Sequence, residues 1–297
     1  MSKIAVIGAG KWGEALHSAF LVQGESYIGS RTKRDIKNFI STKTIVDEFE
    51  YIVLAISAQH IREWMSENFI FKNQKILVAA KGIEVSTGKF LNEVLSEFIP
   101  EENLAFVTGP SFAAEVIKSL PTALVINSTN QDLADKFSSF FPTFIKTYTS
   151  SDIIGAEICG AYKNVIAIAS GICDGLKLGN NARASLITRG LVEMDRFGKY
   201  FGADKDTFLG LSGAGDLFLT ASSELSRNYR VGFGLAKNKT LDEILTELGE
   251  VAEGIYTSQA IYNISHDKSI YTPIADEVYH MINGKKPKDS LRDLLGS

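Results

Sequence analysis

Apolar residues in the first half of the chain come in short β-rich runs, at positions 3–7, 26–28, 51–55, 75–79, 103–107, 123–126 and 144–148. Amphipathic stretches separate them, at 13–22, 60–68, 89–98, 112–118 and 131–140. Short continuous apolar runs alternating with helical periodicity are the signature of a parallel sheet buried on both faces by helices. Past the polar cluster Thr149-Ser150-Ser151-Asp152, which is suited to cap a helix, the β-rich runs largely disappear. Helical stretches follow at 153–173, 182–201, 206–209, 214–222, 230–236, 240–247, 257–265 and 273–283. The pattern predicts an α/β fold: a doubly wound Rossmann-type sheet over residues 1–149, followed by an all-helical domain over 150–297.

A length of 297 residues agrees with two domains. Hydrophobic residues at 45% and charged residues at 22% are those of an ordinary globular protein. The formal net charge of -4 offers no general attraction for nucleic acid or an anionic membrane. Any phosphate recognition is therefore expected to be local, and the expected partner is a small phosphorylated molecule. The apolar run Ile4-Ala5-Val6-Ile7 is too short for a signal peptide, and no segment reaches about 18 consecutive apolar residues. A cytoplasmic location without membrane insertion is the resulting expectation. The two cysteines, Cys159 and Cys173, fall in one predicted helix about 21 Å apart, too far for a disulfide.

The first predicted strand runs directly into Gly8-Ala9-Gly10-Lys11-Trp12-Gly13 and then into a helix. This is the setting in which a G-x-G-x-x-G turn binds a dinucleotide: Gly8 makes the tight turn, Gly10 lets the pyrophosphate approach, and Gly13 allows close packing of helix on strand. Amides at the helix N-terminus then face negative charge. An acidic residue that would bind a ribose 2′-hydroxyl is missing from the end of the second strand, where the sequence reads Gly29-Ser30-Arg31-Thr32-Lys33-Arg34. The cations Arg31, Lys33 and Arg34 suit a 2′-phosphate, so NADPH is predicted in preference to NADH, which remains the alternative cofactor. A solvated charged turn is the competing reading.

The 153–172 stretch carries two helical stripes. Ile154, Ile158, Ala161, Val165, Ile168 and Ile172 form an apolar core face. Ala156, Gly160, Ala167, Ser170 and Gly171 form a stripe of small residues, with Lys163 near its middle. Small residues imply close approach to the backbone, and a lysine among them is expected to be partly desolvated, which disfavours its charge. Such a lysine suits general acid–base chemistry on a carbonyl. Asn164 is placed to orient it or a substrate, with Asp152 and Glu157 as further candidates. A lysine snorkelling to the surface fits the periodicity equally well.

The segments Gly8 to Gly13, Lys81-Gly82-Ile83-Glu84, Gly109-Pro110-Ser111-Phe112-Ala113 and Lys163-Asn164-Val165-Ile166-Ala167 together resemble bacterial NAD(P)-dependent glycerol-3-phosphate dehydrogenases. The likeness continues in order through Asn181-Ala182-Arg183-Ala184, Gly213-Ala214-Gly215-Asp216-Leu217, Ser226-Arg227-Asn228 and Val251-Ala252-Glu253-Gly254. It implies interconversion of dihydroxyacetone phosphate and sn-glycerol 3-phosphate, supplying phospholipid synthesis, by a metal-free homodimer that holds both reactants in the cleft between its domains. It implies that Lys163 is the proton donor and acceptor, with Lys81, Asn164, Asp216 and Thr220 around the reacting carbon. Gly109, Ser111, Ser226, Arg227 and Asn228, with Lys81, Lys163 and Asp216, match its substrate-contacting positions. Trp12, Arg31, Lys81, Ala113, Arg227, Val251 and Glu253 match its cofactor-contacting positions, beside Gly8, Gly10, Lys11 and Gly13 of the turn. Lys11 departs from the serine or asparagine of many relatives, and the stretch between the first helix and Arg31 is short. Other two-domain hydroxy-acid or imine dehydrogenases, and a non-catalytic NADPH-binding redox sensor, are the competing functions.

Overall fold

A computed structural model describes residues 3–290 of the chain. It divides into two compact units: one runs to Lys81 and resumes over Phe90–Ala156, and the other comprises Gly82–Lys89 and the chain from Glu157 onward.

The first unit is built on seven strands: β1 (Ile4–Ile7), β2 (Ser26–Gly29), β3 (Tyr51–Leu54), β4 (Lys75–Val78), β5 (Leu104–Thr108), β6 (Thr122–Asn127) and β7 (Ile145–Ser150). They form one sheet in the order β2-β1-β3-β4-β5-β6-β7. Neighbours are parallel except at β5 and β6, which run antiparallel, with Val107 opposite Ile126. Along β1, Ile4 and Val6 point into one apolar cluster while Ala5 and Ile7 point into another, so both faces are buried. Helices α1 (Lys11–Gln23), α5 (Ala113–Val116) and α6 (Gln131–Ser138) contribute to the first cluster, and α2 (Thr42–Glu48), α3 (Ile61–Asn68) and α4 (Leu91–Leu95) to the second. The pattern predicts every strand of this sheet but misses α2. Its segment Thr42-Lys43-Thr44-Ile45-Val46 is rich in β-branched residues that favour strands. Burial of Ile45 and Val46 against the sheet overrides that preference, and the Ser41 hydroxyl caps the helix by accepting from the Thr44 amide at 3.0 Å.

Helix α7 (Ile153–Gly175) leads into the second unit, which continues with α8 (Asn180–Tyr200), α9 (Lys205–Leu209), a single π-helical turn (Leu211–Gly215), α10 (Asp216–Ala221), α11 (Arg227–Ala236), α12 (Leu241–Leu248), α13 (Glu253–Lys268) and α14 (Pro273–Ile282). Asp152 caps α7 by accepting from the Gly155 amide at 2.8 Å, the capping expected of the polar cluster. Among the described residues α7 alone is long and apolar enough to cross a membrane, and 94% of its most apolar window is buried in the protein. Its small-residue stripe receives α11. A Cβ on Gly171 would lie 2.0 Å from the Tyr229 carbonyl oxygen, and one on Gly232 would lie 1.9 Å from that of Ile168. The two helices therefore touch backbone to backbone. Two helices begin about a turn earlier than the periodicity predicts: α11 at Arg227 instead of Arg230, and α13 at Glu253 instead of Thr257.

Candidate active site

The glycine turn in the first unit is shaped by its own backbone. Gly8 has φ of +113°, and a Cβ there would lie 2.4 Å from the Ala55 carbonyl oxygen. A Cβ on Gly13 would lie 1.8 Å from the Gly8 oxygen, so α1 starts pressed against the turn. Gly10 stands at the N-cap of α1 with no side-chain cap and nothing within 4 Å of where its Cβ would be. The start of the helix is consequently open at this position.

Trp12 is half-buried and packs on the same apolar cluster as Ala113. Its indole Nε1 is buried without a hydrogen-bond partner among the described residues. A buried donor of this kind carries a desolvation cost until an acceptor reaches it. The open helix start, the glycine cradle and this unsatisfied donor all fit a nicotinamide dinucleotide. Lys11, Arg31, Lys33 and Arg34 are exposed. The last three follow β2 and make no ion pair among the described residues, leaving a short cationic rim.

Three more of the expected residues lie in this unit. Lys81 is half-buried beyond the end of β4. Gly109 follows β5 with φ of +112°, and a Cβ there would lie 3.0 Å from the Ala123 carbonyl oxygen. Ser111 does not cap the helix that follows. Its hydroxyl donates back to the Gly109 carbonyl at 3.1 Å, and Phe112 occupies the N-cap of the short α5. His60 is exposed beside Glu63, its Nδ1 3.8 Å from the carboxylate.

The second unit gathers side chains scattered along the sequence. Lys163 projects from the middle of α7 and forms a buried ion pair and hydrogen bond with Asp216. Its Nζ also donates to Thr220 Oγ1 at 3.0 Å, and the Thr220 hydroxyl donates to Asp216 at 3.2 Å. The lysine side chain is 9% exposed and the aspartate 1%. The structure thus excludes the snorkelling alternative. It also modifies the expectation of a lysine governed by desolvation, because the adjacent carboxylate favours the ammonium form.

The glycine-rich motif 213–216 explains how Asp216 reaches this position. A Cβ on Gly213 would lie 2.2 Å from the Phe208 carbonyl oxygen, so only glycine lets the chain fold back there. Asp216 then becomes the first residue of α10, where the helix dipole favours a carboxylate, and Thr220 stands one turn on along the same face.

Three substrate-contacting candidates sit at the start of α11. Ser226 caps α11, its hydroxyl accepting from the Tyr229 amide at 3.2 Å. Arg227 is half-exposed and its Nη1 donates to Glu250 at 2.9 Å. Asn228 is buried, and its Oδ1 accepts from the Gly254 amide at 3.0 Å. Asn164 is also buried, with Nδ2 donating to the Gly160 carbonyl at 3.3 Å. Val251 is exposed just before α13, and Glu253 opens that helix.

A buried acid escapes sequence reasoning altogether. Glu193 of α8 accepts from the Tyr162 hydroxyl and the Ile274 and Ala275 amides, each at 2.9 Å. Tyr162 precedes Lys163 on α7, and the two amides open α14. Burial pushes the Glu193 carboxyl up to about 7, against the three donors, which favour its ionised form. A single glutamate within a helical pattern gives no signal of this, because its partners lie far away in sequence. A second such set joins Asp174, which accepts from the Tyr229 hydroxyl at 2.6 Å and from Arg183 at 2.7 Å.

Comparison with known proteins bears on both units. The family model described as NAD-dependent glycerol-3-phosphate dehydrogenase N-terminus matches residues 29–134, and the corresponding C-terminus model matches residues 152–292. The chain belongs to the NAD-dependent glycerol-3-phosphate dehydrogenase family. It is 62% identical over 297 residues to a glycerol-3-phosphate dehydrogenase [NAD(P)+] of Sulfurimonas denitrificans, with all of both chains covered. A Campylobacter jejuni protein of the same name is 60% identical over 293 residues, covering 99% of this chain and 98% of the relative. The crystal structure of glycerol-3-phosphate dehydrogenase from Coxiella burnetii superposes with a TM-score of 0.91 at 29% identity, covering 100% and 99% of the two chains. A D-mandelate dehydrogenase complex with NADH shares the fold at 14% identity, with a TM-score of 0.64.

Proposed function

We propose that this enzyme interconverts dihydroxyacetone phosphate and sn-glycerol 3-phosphate with a nicotinamide cofactor. The observation that carries the reading is the buried Lys163–Asp216–Thr220 set, in a chain whose full-length relatives bear the name of that activity. The nicotinamide supplies or accepts the hydride at the carbon that changes between ketone and alcohol. Gly8, Gly10, Lys11, Trp12 and Gly13 hold the dinucleotide, with Ala113, Val251 and Glu253 as further contacts. In the reducing direction the Lys163 ammonium donates a proton to the carbonyl oxygen as negative charge develops there. In the reverse direction neutral Lys163 takes the proton from the hydroxyl. Asp216 and Thr220 fix the direction of the ammonium, and the carboxylate stabilises its charged form.

Lys81 and Asn164 position the reacting end of the substrate. Gly109, Ser111, Ser226, Arg227 and Asn228 bind its phosphate and remaining oxygens, with Arg227 providing a planar fork of donors. Arg31, with Lys33 and Arg34, favours NADPH over NADH through the 2′-phosphate. A cytoplasmic homodimer supplying phospholipid synthesis completes the reading. Oxidation of NADPH with dihydroxyacetone phosphate, unphosphorylated dihydroxyacetone and representative keto acids tests it. The phosphorylated ketone gives the highest kcat/KM; faster turnover of a keto acid would overturn the assignment. The same assay with NADH in place of NADPH tests the cofactor preference, and an equal or greater kcat/KM with NADH would remove it.

A further inference from the structure

Gly254 stands where three helices of the second unit meet. A Cβ there would lie 2.7 Å from Asn228 Oδ1 on α11, 2.9 Å from the Asn164 carbonyl oxygen on α7 and 3.0 Å from Ile168 Cδ1. Two of these three neighbours are polar atoms of asparagines, and one belongs to backbone that cannot swing aside. The glycine amide, in the first turn of α13, is one that a helix cannot satisfy internally. The N-cap residue, Ala252, has no side chain to accept from it. Asn228 supplies the missing acceptor from 26 positions away, at 3.0 Å.

This bond decides which end of the Asn228 amide faces outward. A backbone N–H only donates, so the atom that meets it is the carboxamide oxygen. The oxygen is thereby committed to α13, and the NH2 group, which only donates, is the end left to meet a ligand. Asn164 is set the opposite way: its NH2 meets the Gly160 carbonyl, leaving the oxygen as the acceptor it presents. A phosphate oxygen accepts, and a substrate hydroxyl can donate. The two asparagines are therefore polarised for different ends of a phosphorylated polyol.

We propose that Gly254 is a positioning residue for substrate phosphate, acting through Asn228. Its amide holds the carboxamide in the donor-outward orientation, and its missing side chain lets α13 approach closely enough to do so. The inference rests on the phosphorylated substrate assigned above and adds a residue that touches neither reactant.

The test compares Gly254→Ala with the unaltered enzyme on dihydroxyacetone phosphate and on unphosphorylated dihydroxyacetone. A lost neutral-to-anion hydrogen bond lowers kcat/KM for the phosphorylated ketone about tenfold or more, mainly through KM. Activity on the unphosphorylated ketone falls several-fold less than that on the phosphorylated one, because that substrate has no phosphate to orient. Equal losses on both would show general damage and overturn the inference.

Asn228→Asp supplies a second arm that does not depend on tolerating a methyl group in a crowded place. Aspartate keeps an oxygen for the Gly254 amide, yet it has no NH2 to offer. The same selective loss on the phosphorylated ketone is expected, and unchanged kcat/KM would overturn the donor assignment. If the unaltered enzyme does not reduce dihydroxyacetone phosphate, the proposed function fails instead, a result readable before either variant is made.

Discussion

The two units assemble their candidate sites from different parts of the polypeptide. In the first, the glycine turn is backbone throughout: Gly8 and Gly13 have no room for a side chain, and Gly10 leaves the start of α1 open. In the second, the site consists of side chains on separate helices, with Lys163 on α7 facing Asp216 and Thr220 on α10 and Asn228 on α11 meeting α13. Backbone amides present their partial charge without burying an ionised group. The helical unit instead buries ionisable side chains, Lys163, Asp216 and Glu193 among them, each of which requires a partner to offset its desolvation. On the proposed function, a cofactor shared by many reactions would be met by generic amides, and the acid–base step by a set of residues specific to it.

That division is open to attack at both ends. Lys163→Ala removes the proposed proton donor, and kcat is expected to fall about a thousandfold, as for loss of a general acid. Steady-state turnover at saturating substrate measures it. Gly13→Ala is the corresponding lesion in the first unit, since its Cβ would lie 1.8 Å from the Gly8 oxygen. Overpacking of this kind weakens NADPH binding by about tenfold to a hundredfold, read by isothermal titration.

A smaller effect exposes what the second unit incurs by burying charge. With its carboxyl raised from 4.5 to about 7, Glu193 favours the folded state fully below pH 4.5, and that contribution is lost as pH rises through 7. Relative to Glu193→Gln, the unaltered enzyme should lose on the order of 3 kcal/mol of unfolding free energy between pH 4.5 and pH 8. Chemical denaturation across that range measures the slope, and a flat difference would contradict it. The smallest effect is at the surface. Glu250→Gln relieves Arg227 of a competing carboxylate, and a half-exposed pair of this kind shifts the KM for the phosphorylated substrate down by only about twofold to threefold. A rise in KM would instead make Glu250 a support for the arginine.

What could be read from the sequence follows the same division. The turn Gly8 to Gly13 is contiguous and sits between a strand and a helix, so its geometry is a local property. The strands follow from their apolar runs, but the reversed direction of β6 does not, because a run of Leu124-Val125-Ile126 reads the same in either sense. Lys163 was visible only as a charge among small residues, with two readings of equal weight. Its resolution needed Asp216, 53 positions away. The early start of α13 is hidden for a related reason: Asn228 stabilises the first turn of a helix 26 positions away, a capping arrangement without a local signature. Glu193 was invisible, since its donors come from α7 and α14.

The NADPH affinity of Lys163→Ala tests the division of labour most directly. The substitution leaves Asp216 buried without its cation, which lowers stability by about 3 kcal/mol, so binding is titrated well below the melting temperature. Affinity within about twofold of the unaltered enzyme, alongside the loss of turnover, is the predicted result. A tenfold or greater loss of NADPH affinity would contradict the account, placing Lys163 in cofactor binding as well as in proton transfer.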